Sequence, residues 1–332
     1  MKFFDNRLGF DVAYYKSNAF NQLLNIPKNS LSGYSSEKIN AGNIQNEGFE
    51  LMVNAIPVEV KDFSWEITGN ISKNVNTVLE LAEGVTQYDL GQSFDNIKIL
   101  AATGQRYGVI YGTKFARVED PNSEYFGKVI VDESGVPTAA SGQYYLGNQQ
   151  PDMLFGLGNT LRYKNLSLSF QIDGRIGGKM YSFSNYLLKA TGRSALTAPD
   201  GKRDKMVYDG VIKDGDSFKP NNIEVSTVDY WTKLSKRASG NVGITEENLF
   251  DATNIRLRNV SLSYDLPKEW LSHVAIQGMR LGLTVNNVWM IYSNMNGIDP
   301  ESVYATGSNA TGFESLSNPT TRSYYLNLSI NF

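Results

Sequence analysis

The sequence predicts an all-β fold, an antiparallel transmembrane β-barrel segment of about eight strands with long loops at one end. Three observations carry that prediction. Oily and polar residues alternate strictly in stretches of about 9–12 residues, the length of a tilted bilayer crossing rather than the usual 5–6 of soluble sheets. The connections between these stretches alternate between short and long, in step with strand order. Composition agrees, because 332 residues carry 19 Tyr, 16 Phe and 30 Gly, an aromatic, glycine-rich balance suited to β structure.

Taken in order, the first stretch is NRLGFDVAYYK, where Leu8, Phe10, Val12 and Tyr14 alternate with Gly9, Asp11 and Ala13. GFELMVNA follows with Phe49, Leu51, Val53 and Ala55, then FSWEITGNIS with Trp65, Ile67 and Ile71. MLFGLGNTLRYKNLSLSFQIDG reads as two strands and a very tight turn: Phe155, Leu157, Leu161 and Tyr163 are the oily set of one, Leu166, Leu168, Phe170 and Ile172 of the other. RLRNVSLSYDLP offers Val260, Leu262 and Tyr264, and MRLGLTVNNVW offers Leu281, Leu283 and Val285. The last stretch, RSYYLNLSINF, sets Tyr324, Leu326, Leu328, Ile330 and Phe332 on one face against Asn327, Ser329 and Asn331 on the other.

Short connections are expected at 56–62, 164–165 and 267–277, and long ones at 17–46, 74–152, 177–253 and 292–321. Counting back from Phe332 places every short turn at one end and every long loop at the other, the pattern of periplasmic turns and extracellular loops. The pieces RYGVIYGTKFARV and YFGKVIV inside the long loops read as external hairpins. Aromatics mark both rims: Trp65, Tyr163, Tyr264, Trp270 and Phe332 on the periplasmic side, Tyr14, Trp289, Tyr292 and Tyr324 on the outer side.

Several function classes are disfavoured. A net charge of −3 without a basic stripe argues against a nucleic-acid partner. The absence of cysteine removes disulfides and thiolate metal sites. No enzyme constellation stands out: the single histidine, His273, lies in an expected turn, and GRIGGKM departs from a phosphate loop, with Asp173 in place of the first Gly and Met180 in place of Ser or Thr. Gly174, Gly177 and Gly178 read instead as a strand ending at its loop. In KDGDSFKPNN, Asp214, Asp216, Asn221 and Asn222 lack calcium-loop spacing and read as solvated loop, as do Asp299 and Glu301 of GIDPES. No cofactor and no metal is expected. Sequons at Asn70, Asn259 and Asn327 fall within expected strands and read as chance products of polar strand faces.

NAGNIQNEGFELMVNA, FSWEITGNISKNVNTVLEL, YGVIYGTKFARV, GNQQPDMLFGLGNTLRYKNLSLSFQIDGRIGG, IRLRNVSLSYDLP, LGLTVNNVWMIYSNMNGIDPE and YYLNLSINF together resemble, in order, the C-terminal barrel half of SusC/RagA-type TonB-linked outer membrane proteins. The resemblance covers almost the whole chain. It implies residues 1–332 as the C-terminal part of a 22-stranded receptor barrel in the outer membrane, importing oligosaccharides or peptides. Implied partners are a SusD-like surface lipoprotein and, through an N-terminal plug lying outside this sequence, the TonB complex. Plug, signal peptide and TonB box are not in the sequence, so the resemblance implies a fragment with Met1 as an internal methionine. It also implies that Phe332 acts as an assembly signal besides anchoring at the membrane interface with Tyr324, Trp65 and Trp289.

Loop aromatics are the strongest binding signal, since aromatic faces stack on sugar rings or pack on peptide side chains. Tyr107, Tyr111, Tyr125, Tyr144, Tyr145, Tyr208, Tyr230, Trp231 and Tyr304 lie outside the expected membrane band, and Tyr107, Tyr111 and Trp231 are the first substrate-binding candidates. Many of the rest are expected to pack loop against loop. Two other readings compete: a non-transporting adhesive barrel, and a soluble β-sandwich glycan-binding module, which accounts poorly for strands this long.

Overall fold

The computed structural model describes residues 1–27, 36–91, 96–237, 242–273, 275–295, 297–304 and 307–332. Eight long strands form one antiparallel sheet: β1 (Leu8–Pro27), β2 (Ser36–Val60), β3 (Phe63–Glu80), β4 (Met153–Tyr163), β5 (Leu166–Ile176), β6 (Asn254–Asp265), β7 (Gly278–Ser293) and β8 (Ser323–Asn331). Each lies beside its neighbour in sequence, and a two-residue strand, Lys2–Phe3, pairs on the free side of β1. Three long excursions, after β3, β5 and β7, leave the sheet and return to the adjacent position. Among the described residues no helix is long and apolar enough to cross a membrane.

The alternation becomes a continuous surface because the register aligns the oily sets. Val58, Trp65, Leu161, Leu168, Leu262, Leu283 and Leu326 are successive cross-strand partners from β2 to β8. A second row runs Val60, Phe63, Tyr163, Leu166, Tyr264, Leu281 and Leu328. Ten of these fourteen side chains are exposed, Leu326 at 82%, and Phe63, Trp65, Leu161 and Leu168 are half-buried. Opposite them is a polar ladder: Thr284 Oγ1 shares a 2.9 Å hydrogen bond with Ser261 Oγ, and Asn327 Nδ2 donates to Thr284 Oγ1 at 3.2 Å. A sheet oily on its open face and hydrogen-bonded on the other suits lipid outside and water inside.

The short turns lock to one another. Lys164, in the left-handed region at φ 51°, turns β4 into β5, and its N–H donates to the Asp62 carbonyl at 2.8 Å. Asn165 in turn accepts from the Asp265 N–H on its carbonyl at 2.9 Å, so three successive turns share one rim.

Strand lengths depart from the sequence reading. β1 has 20 residues, β2 25 and β3 18, so the loop expected at 17–46 is mostly a paired hairpin, Ser17 opposite Asn46 through Pro27 opposite Ser36. The remaining connection, 28–35, lies outside the described residues. The signal failed for a physical reason. Beyond Ser17 the strict alternation breaks, with Ala19, Phe20, Leu23 and Leu24 falling in adjacent pairs rather than at every second residue, while pairing continues and Asn18 Nδ2 donates to Asn43 Oδ1 at 2.8 Å.

Nor are the excursions unstructured. Buried Ile97, Ile99 and Ile110 of the first meet Tyr181 and Val242 of the second and Ala310 and Phe313 of the third in one apolar core. Two short helices stiffen the second: α1 (Phe183–Ala190), capped by Ser182, and α2 (Thr227–Leu234), capped by Ser226. The three excursions thus build a folded outer layer. RYGVIYGTKFARV does lie outside the main sheet, its Val109–Gly112 strand belonging to a separate four-stranded sheet with Gln87–Asp89, Lys98–Ala102 and Tyr144–Asn148.

Leu283→Lys, in the middle of the oily row, is expected to cost ~2–4 kcal/mol of barrel stability and to deplete the protein from the heat-modifiable outer-membrane fraction. Ser261→Lys, on the polar face one strand away, should leave that fraction near wild type; equal loss in both variants would contradict the assignment of faces.

Candidate functional site

Two places combine geometry with chemistry: the junction between sheet and outer layer, and the clefts of the outer layer itself.

The junction is built on a β-bulge. Leu257 and Asn259 both pair with β5 and with β7 while Arg258 between them pairs with neither, which puts an extra polar side chain at the outer end of β6. Its guanidinium donates to both Glu301 oxygens, at 2.9 and 2.6 Å, and its Nε to Asp173 Oδ2 at 2.9 Å. Two residues earlier, Arg256 forks onto Asp299, while its Nε donates to Asn254 Oδ1 at 3.1 Å. Thr320 completes the cage, donating to Asp299 Oδ2 at 2.6 Å. The Arg256 and Asp299 side chains are only 6% and 8% exposed.

Asp299 and Glu301 are therefore not the solvated loop residues that the sequence suggested; both bind back to the barrel wall. The missed signal was the pair of arginines two apart in NIRLRNV, matched by acidic residues two apart in GIDPES. Burial alone would push the Asp299 carboxyl up, but hydrogen bonds from Arg256, Thr320 and the Glu301 N–H outweigh it and hold it at about 2. Hydrogen bonds from Arg258 likewise hold the Glu301 carboxyl below the usual range.

A second tether lies within the outer layer. Arg237 donates to Asp132, whose Oδ1 also accepts from Ser134 Oγ at 2.7 Å and from the Val136 N–H at 3.1 Å. Burial again opposes ionisation, and these bonds again prevail, leaving the carboxyl at about 2.

The sequence-predicted aromatics fall in different places. Tyr107 is half-buried against Val78, Leu81 and Ala101, where burial pushes its hydroxyl pKa up and a hydrogen bond with Asn309 opposes the shift. Tyr111 packs on Leu100, Ala102 and Val109, meets Tyr145 edge-on at 6.2 Å, and accepts from Gln105 Nε2 at 3.2 Å. Tyr111 and Tyr88 line one open cleft, and Tyr88 packs on the same Val78, Leu81 and Ala101 cluster as Tyr107. Trp231 sits elsewhere, on α2, edge-on to Tyr230 at 5.1 Å and with the Lys189 ammonium 5.4 Å from its ring centre. Its indole N–H is buried without a partner.

Tyr208 and Tyr230 stack at 5.9 Å, with Tyr230 inside the core and its hydroxyl pushed up by burial. That is loop-on-loop packing, as expected for many of the aromatics. Asp214 pairs with Lys219 at 3.3 Å across a small hairpin, and Asn221 Nδ2 donates to the Tyr208 carbonyl, so that acidic stretch serves its own fold. His273 is exposed in its turn. Tyr324, Trp289 and Phe332 stand open on the oily side, 66%, 60% and 80% exposed. Trp65 lies on the same face, its indole N–H donating to Asn159 Oδ1 at 3.1 Å and satisfying a polar group within the oily rows.

A sheet oily on one face and polar on the other, with short turns on one rim and a folded layer on the other, is the arrangement of a segment of a transmembrane β-barrel. Comparison with known proteins narrows this. No protein-family model matches the chain. It is 26% identical over 353 residues to TonB-dependent receptor P3 of Formosa agariphila, covering 99% of this chain and 33% of that one. It is also 26% identical over 305 residues to TonB-dependent receptor SusC of Bacteroides thetaiotaomicron, covering 88% and 27%. Among solved structures, the RagAB peptide transporter superposes with a TM-score of 0.68 at 19% identity, covering 99% of this chain and 34% of that one. The resemblance to SusC/RagA-type TonB-linked outer membrane proteins thus holds over nearly the whole chain, which spans about a third of the length of those curated relatives.

Asp299→Asn leaves Arg256 buried beside a neutral partner and is expected to cost about 3–5 kcal/mol, read as faster proteolysis of the 294–322 segment in outer-membrane preparations. The wild-type protein should show a matching acid response. Both Asp132 and Asp299 have folded values below the ordinary 3.8, so their stabilisation is complete above that pH and is lost as pH falls towards about 2. For Asp299 the loss is roughly 2 kcal/mol. Protease resistance of the outer layer that stays flat from pH 5 to pH 2 would contradict this account.

Proposed function

We propose that residues 1–332 form the C-terminal barrel portion of a TonB-dependent outer-membrane importer of oligosaccharides or peptides, acting with a SusD-like surface lipoprotein and with TonB through a plug supplied by the rest of the protein. The observation that carries the reading is the asymmetry of the two ends. One rim is three short connections; the other is a layer with its own apolar core drawn from all three excursions. A passive anchor needs no such layer, whereas an importer needs a rigid outer mouth that can select a solute. Similarity to TonB-dependent receptors supports the same conclusion.

In this reading Tyr324, Trp289, Trp65 and Phe332 hold the barrel at the membrane interfaces, with Phe332 also the signal read during barrel assembly. Tyr107, Tyr111 and Trp231 present aromatic surface to the solute. An adhesive barrel would keep the loops and lose the energy requirement.

The test is uptake by intact cells of the source bacterium, with the gene encoding this chain deleted and restored. Labelled oligosaccharides and peptides are offered as mixtures before and after collapse of the proton gradient. Expected is a loss of accumulation of at least one class on deletion, and the same loss on de-energising the wild type. Accumulation unchanged by deletion would overturn the importer. Removal of Phe332 alone should lower the assembled outer-membrane fraction several-fold, seen as loss of heat-modifiable migration.

A further inference from the structure

We propose that the cleft above the four-stranded outer sheet is a subsite for a neutral pyranose unit, with Tyr111 as its stacking surface and Lys98, Gln87 and Asp89 as its hydroxyl partners. The proposal rests on the importer reading and names the solute class for this part of the mouth.

Sheet register brings the groups together. Lys98 is the cross-strand partner of Tyr111, and Asp89 and Gln87 are partners of Leu100 and Ala102 on the adjoining strand. Lys98, Leu100, Ala102, Tyr111, Asp89 and Gln87 therefore share one face of the sheet. Leu100, Ala102 and Val109 are buried beneath it as an apolar floor, and Tyr111 packs on that floor. Tyr88 and Asn25 bound the cleft at the outer end of β1, where the Asn25 N–H donates to the Tyr88 hydroxyl at 3.4 Å. The cleft holds about 500 Å³ and is open on one side, a size within the range of small-molecule sites.

Its polar groups are available. Among the described residues, the Lys98 ammonium and the Gln87 amide make no hydrogen bond or ion pair. Asp89 spends one oxygen on the Gly91 N–H at 2.9 Å and keeps the other, and Gln143 uses its amide N–H on the Asn96 carbonyl at 2.8 Å, leaving its oxygen. One cation, one anion and two amides sum to no net charge while offering both donors and acceptors. Sugar hydroxyls, each donor and acceptor at once, match that set, and the apolar face of a pyranose matches an aromatic ring.

A peptide fits less well. Strand addition would need a free edge of some length, and the edge next to the cleft, Gln87–Asp89, is three residues long. With its charges balanced, the cleft also gives no preference to an acidic or basic segment.

The experiment measures equilibrium binding to native outer membranes holding the complete protein. The probes are malto-, cello-, xylo- and mannohexaose, and a pool of uncharged decapeptides. Expected is binding of at least one hexasaccharide, weakened about tenfold by Tyr111→Ala, a loss of the size set by one aromatic contact, and several-fold by Lys98→Ala or Gln87→Ala. Because Lys98 and Gln87 have no side-chain partner among the described residues, their removal breaks no contact seen there. Tyr111→Phe should bind as wild type, which separates the ring from the hydroxyl.

Hexasaccharide binding that is equal in wild type, Tyr111→Ala, Lys98→Ala and Gln87→Ala would overturn the subsite while leaving the importer standing. Failure of every hexasaccharide to bind, with or without peptide binding, overturns it as well. Binding that follows the variants in cells that accumulate no sugar would support the subsite and overturn the importer.

Discussion

Everything in this molecule depends on a sheet that must satisfy two solvents at once. Within a bilayer no backbone group can turn to lipid for a hydrogen bond, so each strand must pair on both sides, and its side chains must divide by face. The register supplies the division. Because Val58, Trp65, Leu161, Leu168, Leu262, Leu283 and Leu326 are successive partners, a slip of one residue between any two strands would put serines and asparagines into lipid and leucines into water. The oily rows are thus both the membrane anchor and the device that fixes the pairing. Asn159 shows how strictly the rule is kept, since its carbonyl oxygen, lying among those rows, takes the Trp65 indole N–H.

That constraint ends at the outer rim, and a different force takes over. Beyond it β1 and β2 run on as a paired hairpin, and the excursions bury Ile97, Ile99, Ile110, Tyr181 and Phe313 against each other as a soluble domain would. The rim is where the regimes meet, and there the connections are ionic. Arg256 and Arg258, brought together by a bulge at the end of β6, grip Asp299 and Glu301 of the last excursion. A fork of two guanidinium bonds fixes distance and orientation together, which a greasy contact across a wet rim cannot do.

How much of this was legible follows from the same physics. Wherever lipid imposes alternation, strands, faces and order could be read from residues alone, including the two-residue turn at Lys164. Where lipid stops, so did the signal: Asn18 pairs with Gln45 and Phe20 with Asn43, and the apolar residues of β1 no longer recur at every second position. The α2 helix carried a readable start, Ser226 followed three residues later by Asp229, whose carboxylate and N–H both bond the Ser226 hydroxyl; the reading of 177–253 as one long connection passed over it. Among the aromatics, sequence could pick out Tyr107, Tyr111 and Trp231 but could not tell a cleft wall from a core. Burial of Tyr230 depends on Phe115 of another excursion, more than 100 residues away, and the Tyr111 cleft is bounded by Asn25 of the first hairpin.

The ionic rim also sets how sheet and layer respond to one another. Arg256 is almost fully covered, and its charge is tolerable there only while Asp299 is ionised and in place. Displacing the 294–322 segment would therefore leave an uncompensated cation in the barrel wall, at a cost far above that of parting two apolar surfaces of the same size. The segment carries Phe313 into the shared core and Thr320 into the cage, so it cannot move without disturbing both. On the importer reading proposed above, a mouth fastened in this way would move as one layer rather than by the independent swing of a single loop, and it would present a solute with a surface whose shape is set beforehand.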